Sequence, residues 1–310
     1  MSKRKKLKKI RRKIRYTLVY RLVRFFIFLS ALMPRVAWLK FCGMLGRISF
    51  RFANKTRNLV IKHLAMAYGR EKSTAEIRVL AKRVFEYLGK NSGEMLRATK
   101  VETLEELKEF LVVSGMQNYE QANQKGKGVI FLTCHLGAFD LQVSTMALHG
   151  LNPNIIGTPL KNKKLNQLLW DYRNKYGAVA IQRGRETFRM IKILKSGGSV
   201  ALLIDQDTNV KSRFVNFFGH PAATPVGATV LAMKTGAAVV PTYVHLASDW
   251  KQRMEILPEI PITVTGDDEA DMVNNTQVLS DFIEQTIRKH PEQWVWMHER
   301  WKTKPGQEIQ

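Results

Sequence analysis

A histidine stands just beyond a short apolar run, with an acidic residue close behind it. The apolar run covers residues 129–133, and His135 lies two residues after its end. Asp140 lies five residues after His135, with Gly137 between them. Five residues on a regular helix are about 140° apart in projection, so the two side chains meet only through a sharp turn at Gly137. Asp140 would then accept from one imidazole nitrogen and leave the other as a general base. Because this spacing is common by chance, a histidine with a purely structural role is the alternative.

The sequence offers this base no nucleophile of its own. No serine lies in a G-x-S-x-G elbow, so we expect a substrate hydroxyl to be the nucleophile and the reaction to be a direct transfer. The two cysteines, Cys42 and Cys134, form neither a Cys-x-x-Cys pair nor a Cys/His zinc spacing, so no metal site is expected.

Polar side chains also follow two other predicted strands. They are Arg183 and Arg185 after residues 178–181, and Asp205, Gln206 and Asp207 after residues 199–204. Arg183 is a candidate for contacting a phosphate or a developing oxyanion, as are backbone N–H groups near Gly137. The acidic cluster and Arg185 are expected to shape the substrate pocket. Surface loops and turn caps are the alternative for both sets.

Strands and helices alternate through the body of the chain. Short β-rich runs are predicted at residues 129–133, 154–157, 178–181, 199–204, 238–245 and 254–262. Helical patterns are predicted at residues 71–97, 139–149, 164–176, 186–195, 227–234 and 273–290. Gly219, Pro221 and Pro225 indicate a turn before the helix at 227–234. The alternation predicts an α/β fold with a mostly parallel central sheet flanked by helices, in which ligands bind beyond the carboxyl ends of the strands.

The positive charge is concentrated at the front of the chain. Residues 1–70 hold 20 of the 50 Lys and Arg residues and no Asp or Glu, which leaves 30 basic and 26 acidic side chains in the remainder. We therefore divide the chain into a basic cytoplasmic tail at 1–16, a membrane-anchoring hydrophobic and basic segment at 17–70, and an α/β domain at 71–310.

The basic front end has three possible interpretations. Anionic membrane lipid fits best, because apolar sequence follows the lysines at once. A solvated tail is the second possibility, and a nucleic-acid arm is the third, although aromatic residues are not interleaved among the lysines. Pro34 is expected to end or kink the apolar helix, which would lie in the headgroup plane or span the bilayer with Arg21 and Arg24 at the interface.

Several blocks in consistent order give the chain a family resemblance. The blocks are residues 135–141, residues 181–183 with 195–198, residues 205–207, residues 215–224, and residues 290–305 with their three tryptophans. Together they resemble the late acyltransferases of lipid A biosynthesis, the lauroyl and myristoyl transferases. The resemblance extends over most of residues 15–305.

The resemblance implies a specific activity and place of action. It implies an acyl carrier protein thioester as donor, a hydroxyl of a Kdo-bearing lipid A precursor as acceptor, and no metal or other cofactor. It gives His135 the role of base, Asp140 that of its partner, and Arg183 a place near the reaction centre. The enzyme would be held at the cytoplasmic face of the inner membrane. Acylation of another polar lipid, or a membrane-associated nucleic-acid-binding function, remain the alternatives.

Overall fold

The computed structural model of the protein describes residues 3–151, 153–157, 159–182, 187–307 and 309. Its helices are α1 (Lys3–Leu32), α2 (Arg35–Phe52), α3 (Asn54–Tyr68), α4 (Thr74–Ala98), α5 (Leu104–Lys108), α6 (Met116–Asn123), α7 (Leu141–Leu148), α8 (Lys163–Asn174), α9 (Thr187–Lys195), α10 (Gly227–Thr235) and α11 (Asp268–Lys289). Its strands are β1 (Leu111–Ser114), β2 (Val129–Thr133), β3 (Asn154–Gly157), β4 (Val179–Gln182), β5 (Ser199–Leu203), β6 (Ser212–Phe217), β7 (His220–Pro225), β8 (Ala238–Leu246) and β9 (Gln252–Ile256).

Seven strands form one sheet in the order β1–β9–β8–β2–β5–β3–β4. Neighbouring strands run parallel, except that β8 and β9 are antiparallel. β2 lies at the centre, and every residue in it is buried, as expected for a parallel strand covered on both faces. The predicted α/β fold with a mostly parallel sheet flanked by helices is therefore confirmed.

Each face of the sheet has its own apolar core, because successive residues of a strand point to opposite faces. Val129 and Phe131 of β2 pack with residues of α5 to α8, whereas Ile130 and Leu132 pack with residues of α3, α4 and α9 to α11. The chemistry-bearing side chains that follow the strands therefore lie at one edge of the sheet, between two layers of helices.

The segment before α10 differs from the predicted turn, since β6 and β7 form a separate antiparallel hairpin. Phe218 and Gly219 make its turn, both with positive φ, at 54° and 75°. Two residues with positive φ match the twist of a tight hairpin. Pro221 and Pro225 tolerate this place because the hairpin has only two strands, so neither has to donate into a central ladder.

The strand predicted at residues 254–262 is also shorter than expected. β9 begins at Gln252 and ends at Ile256. Pro258 and Pro261 follow, and proline has no N–H to donate to a neighbouring strand, so the ladder stops before them.

Five of the described helices, α1 to α5, precede the first strand of the sheet. Pro34 separates α1 from α2, as the sequence predicts. α2 crosses α4 closely enough that a Cβ on Gly46 would lie 2.1 Å from the Phe85 carbonyl oxygen. α4 begins with a capping box between Ser73 and Glu76. In the described part of the chain, none of the helices combines the length and the apolar character that crossing a membrane requires.

Candidate active site

His135 lies just past the carboxyl end of β2, and a carboxylate that follows the neighbouring strand β5 holds it in place. Its Nδ1 lies 2.8 Å from Oδ1 of Asp205, and its backbone N–H donates to Oδ2 of the same carboxylate at 2.8 Å. Because β2 and β5 are adjacent and parallel, Asp205 emerges at the same sheet edge as His135. With Nδ1 donating to a carboxylate, Nε2 is the nitrogen that can take up a proton.

Asp205 is buried and accepts a further hydrogen bond from the indole of Trp294. Trp294 Nε1 donates to Oδ2 at 2.7 Å, and the Asp205 side chain is fully buried. Burial by itself raises the pKa of Asp205. The neighbouring imidazole and the hydrogen bonds from His135 and Trp294 outweigh burial and hold that pKa below its ordinary value. The carboxylate therefore remains charged beneath the imidazole.

A C-terminal segment fixes the backbone around His135. The Val295 N–H donates to the His135 carbonyl at 3.2 Å, and the Gly137 N–H donates to the Gln293 carbonyl at 2.9 Å. Gly137 has a φ of 64°, and a Cβ there would lie 2.2 Å from the Val244 carbonyl oxygen. Glycine is required at this position for both reasons. The Gly137 N–H, a predicted oxyanion donor, is already engaged.

The predicted partnership of His135 with Asp140 is wrong in this structure. Asp140 immediately precedes α7 and accepts from Arg173 on α8, whose Nε and Nη2 lie 2.9 Å and 2.7 Å from Oδ1. Both side chains of this ion pair are largely buried. The turn through Gly137 does bring Asp140 to the same cavity as His135, but Asp205 supplies the carboxylate that orients the imidazole.

The remaining predicted site residues have separate positions. Gln206 lines the cavity beside His135. Asp207 instead accepts from the backbone and hydroxyl of Thr303, at 2.8 Å and 2.9 Å, so it anchors the C-terminal segment rather than shaping a substrate pocket. Arg183 and Arg185 lie outside the described residues, and their roles stay predictions.

Sequence reasoning missed two contributors, Arg173 and the indole of Trp294. Arg173 lies on a helix of mixed polar and apolar residues, where nothing in the local pattern separates it from a solvent-exposed arginine. Trp294 is one of the three tryptophans in residues 290–305, and no motif in that block predicts a carboxylate as its partner. A polar role for it was available in principle, because a buried indole usually donates its N–H to a partner.

An apolar cavity of about 670 Å³ opens beside His135. Val143 and Met146 of α7 line it from one face of the sheet, and Met190 of α9 and Leu231 of α10 line it from the other. Arg173 lies in the same wall, next to the apolar side chains. The cavity therefore joins the two core layers instead of lying within one of them.

The strands part where the cavity passes through the sheet. In the described part of the chain, β3 pairs with β5 at Asn154–Val200 and Ile155–Ala201. The next residues, Ile156 and Leu202, line the cavity instead of extending the ladder. Space between β3 and β5 lets an elongated apolar group reach from the catalytic edge to the opposite core.

The arrangement has the parts of a group-transfer site for an apolar substrate. A carboxylate-oriented imidazole can remove a hydroxyl proton, a guanidinium can stabilise negative charge, and the cavity can hold a hydrocarbon chain. Across the residues that the structure describes, no three His, Cys, Asp or Glu side chains cluster as a metal site requires.

Comparison with known proteins points the same way. The sequence profile of the family described as bacterial lipid A biosynthesis acyltransferase matches residues 4–303. The chain is 27% identical to the lipid A biosynthesis lauroyltransferase of Escherichia coli K12, over 85% of this chain and 84% of that enzyme. It is 28% identical to the lipid A biosynthesis palmitoleoyltransferase of the same organism, over 64% of each chain.

A second group of relatives is named for a different acceptor. The chain is 27% identical to the phosphatidylinositol mannoside acyltransferase of Mycobacterium tuberculosis CDC 1551, over 61% of this chain and 60% of that enzyme. The match thus spans less than two thirds of the length of the mycobacterial enzyme and of the palmitoleoyltransferase.

Proposed function

The chain belongs to the bacterial lipid A biosynthesis acyltransferase family, and on that premise we propose that it transfers a fatty acyl chain from an acyl carrier protein thioester to a hydroxyl of a Kdo-lipid IVA type precursor. The observation that carries the proposal is the carboxylate-held His135 at the opening of an apolar cavity. The family match and the E. coli relatives support the acceptor class.

The transfer begins at the free imidazole nitrogen. Nε2 of His135 removes the proton of the acceptor hydroxyl as its oxygen attacks the thioester carbonyl carbon. A tetrahedral oxyanion forms and then collapses, which breaks the carbon–sulfur bond. The imidazolium returns the proton to the departing thiolate, so the products are the new ester and the free carrier thiol.

Charged groups around His135 stabilise this sequence. Asp205 lowers the energy of the imidazolium, because its buried carboxylate stays ionised and bonded to Nδ1. Arg173 places a positive charge in the cavity wall, held in position by Asp140. An oxyanion formed beside that wall gains electrostatic stabilisation. We keep Arg183 as a predicted further contact to the oxyanion.

The acyl chain occupies the apolar cavity in this proposal. The volume of about 670 Å³ is in the range of cavities that bury a ligand of this size. The thioester carbonyl lies near His135 and the chain passes between β3 and β5. The acceptor lipid approaches from the open side, at the cytoplasmic face of the inner membrane.

One reconstitution tests the proposal. Purified protein is incubated with a panel of acyl carrier protein thioesters and a tetra-acylated lipid A precursor, and the acylated product is measured by mass spectrometry. We expect transfer by the wild type and a loss of at least about 10³-fold in kcat for His135→Ala. Asp205→Asn should lose about 10²–10⁴-fold, because the imidazolium is no longer stabilised. Near-normal turnover by a folded His135→Ala enzyme would remove the base from the mechanism.

A second acceptor class is favoured by the mycobacterial relatives. These relatives are named for the acylation of a phosphatidylinositol mannoside. The same base and cavity would serve another polar lipid, so that acceptor is tested in parallel. In cells lacking the protein, loss of one acyl chain from lipid A supports the first proposal, and unchanged lipid A with an altered polar lipid supports the second.

A further inference from the structure

Exposed apolar side chains are concentrated on the first two helices. Of 19 large hydrophobic residues exposed in the described part of the chain, eight lie on α1 and three on α2. We call these eleven the two-helix face: Ile10, Ile14, Leu18, Val19, Leu22, Phe25, Phe28 and Leu32 of α1, and Met44, Ile48 and Phe52 of α2. Exposed apolar surface on this scale marks an interaction site.

These residues lie on one side of each helix. At 100° per residue, the α1 members other than Val19 fall within an arc of about 120°. The α2 members recur every fourth residue and fall within about 80°. The other side of α2 is buried against α4, including Trp38 and Leu39. Each helix therefore has one apolar side covered by protein and another left open.

Polar contacts fix the inner side of α1 to the globular body along much of its length. Asn162 Nδ2 donates to the Tyr16 carbonyl at 2.9 Å, and Arg97 Nη1 donates to the Met33 carbonyl at 2.9 Å. Between these points Ile27 is buried. The Tyr16 and Met33 carbonyls are about 25 Å apart along a helix, which is close to the thickness of a hydrocarbon core. Because polar side chains of the body hold α1 at Tyr16 and just past Leu32, this half of the helix has no room to cross a bilayer away from the body.

The charge around the two-helix face has one sign. Residues 1–70 contain 20 Lys and Arg and no acidic residue. Arg21 and Arg24 on α1 and Arg51 on α2 are exposed beside the apolar residues. An apolar side with basic side chains within it and beside it is the pattern of a helix that lies in the interface of an anionic membrane.

We propose that α1 and α2 together form a docking surface for an anionic lipid bilayer, with α1 lying in the plane of the headgroups instead of crossing the membrane. α2 is then a second lipid-binding element and not merely a packing helix behind an anchor. The inference concerns how the protein meets the membrane and does not depend on which lipid it acylates.

The contacts that hold α1 to the body also place the docked bilayer beside the cavity. This step rests on the proposed function. Leu160 lines the cavity and is 44% exposed, so it lies at the rim. Asn162, two residues later, holds α1 through the Tyr16 carbonyl. A lipid acceptor leaving the bilayer beside α1 therefore reaches the rim without crossing bulk water.

Vesicle binding of the full chain tests the surface. Wild-type protein and paired variants are mixed with phosphatidylcholine vesicles that contain or lack phosphatidylglycerol, and the partition coefficient is measured by sedimentation. Leu22→Gln with Phe25→Gln should lower binding to anionic vesicles by roughly tenfold or more, and Ile48→Gln with Phe52→Gln should do so separately. Val264→Gln with Val278→Gln, also exposed but outside the two-helix face, should bind as the wild type does.

Two results would overturn the proposal. If the α2 pair binds as tightly as the wild type while thermal melting shows both folded, α2 does not contact lipid. If neither pair loses affinity and binding depends on salt alone, the front end is a charged arm of the kind that binds nucleic acid. His135→Ala should bind vesicles normally, so a failure of catalysis and a failure of docking are distinguishable.

Depth measurement separates a flat helix from a spanning one. The single variants Leu18→Cys, Phe25→Cys and Leu32→Cys are labelled with a nitroxide, and lipid-phase and water-phase relaxation agents report the depth of each label. Cys42 and Cys134 are buried, so an unmutated chain serves as the low-label control. Similar shallow depths at all three positions support the proposal, whereas depth that rises to a maximum between the ends would show a crossing helix and overturn it.

Discussion

Asp205 is the residue on which the chemistry depends, although it never meets the substrate. Three N–H groups converge on its two oxygens, two from His135 and one from Trp294. A fully buried carboxylate remains charged only with such partners, because an unpaired buried charge is costly. The ring of His135 is consequently held in one tautomer and one orientation before any substrate arrives.

The indole of Trp294 is expected to act as a positioning residue. Trp294→Phe removes the N–H that holds Oδ2 of Asp205 while keeping an aromatic ring. A hydrogen bond to a charged group contributes about 1.5–3 kcal/mol, so kcat should fall roughly 10–100-fold. KM for the acyl donor should change little, because the indole lies behind the carboxylate and not in the cavity wall. Steady-state kinetics of the two parameters provides the measurement.

Trp296→Phe is the matched control for that variant. Its Nε1 donates to the Pro291 carbonyl at 2.6 Å, so the substitution removes a buried indole hydrogen bond from the same segment without touching Asp205. We expect a lower melting temperature with nearly normal kcat. Equal losses of kcat in both variants would mean that Trp294 contributes only to packing.

At the scale of elements, the sequence predicts which residues follow the ends of the strands, but it does not predict which strands lie side by side. β2 and β3 have the bounds predicted for them, because each is a short run with several β-branched residues. Asp205 was placed at a strand end correctly, but its partner depends on β5 lying beside β2, which no local pattern specifies. Arg173 likewise reaches Asp140 only through the packing of α8 on α7.

The opening between β3 and β5 should set the acyl chain length. Ala228 on α10 is buried and lines the cavity, so Ala228→Leu shortens the space available to the end of the chain. Each methylene that no longer fits should lower kcat/KM by about 10–200-fold. The preferred donor should therefore shift to a shorter chain in an assay across acyl carrier protein thioesters.

Ala232 offers a control one turn further along α10. It is also buried but does not line the cavity. Ala232→Leu should lower stability through overpacking and leave the order of preferred donors unchanged. A shift of chain length in both variants would assign the effect to displacement of the helix rather than to filling of the cavity.

At the scale of the whole molecule, buried and half-buried histidines surround the C-terminal segment that clamps His135. His290 stacks against His245 with ring centroids 3.9 Å apart. His63 contacts the Trp296 carbonyl through Nδ1 at 2.8 Å, and His298 contacts the Asp207 carbonyl through Nε2 at 3.1 Å. Burial is the largest cause that lowers the pKa of all four, and it lowers the pKa of His290 to about 4. The folded protein therefore holds these rings neutral where the unfolded chain would protonate them.

This difference gives stability a defined dependence on pH. An unfolded histidine titrates near 6.5, so above that value neither state is protonated and the contribution to stability is fully present. As pH falls below 6.5 the unfolded chain binds protons first, and stability is lost down to about pH 4, where folded His290 also titrates. The melting temperature should drop between pH 7 and pH 4.5, and His290→Gln should make that drop shallower because one of the responsible protons is gone. An unchanged slope in His290→Gln would place the acid sensitivity elsewhere, since a group that does not titrate differently in the two states cannot contribute to it.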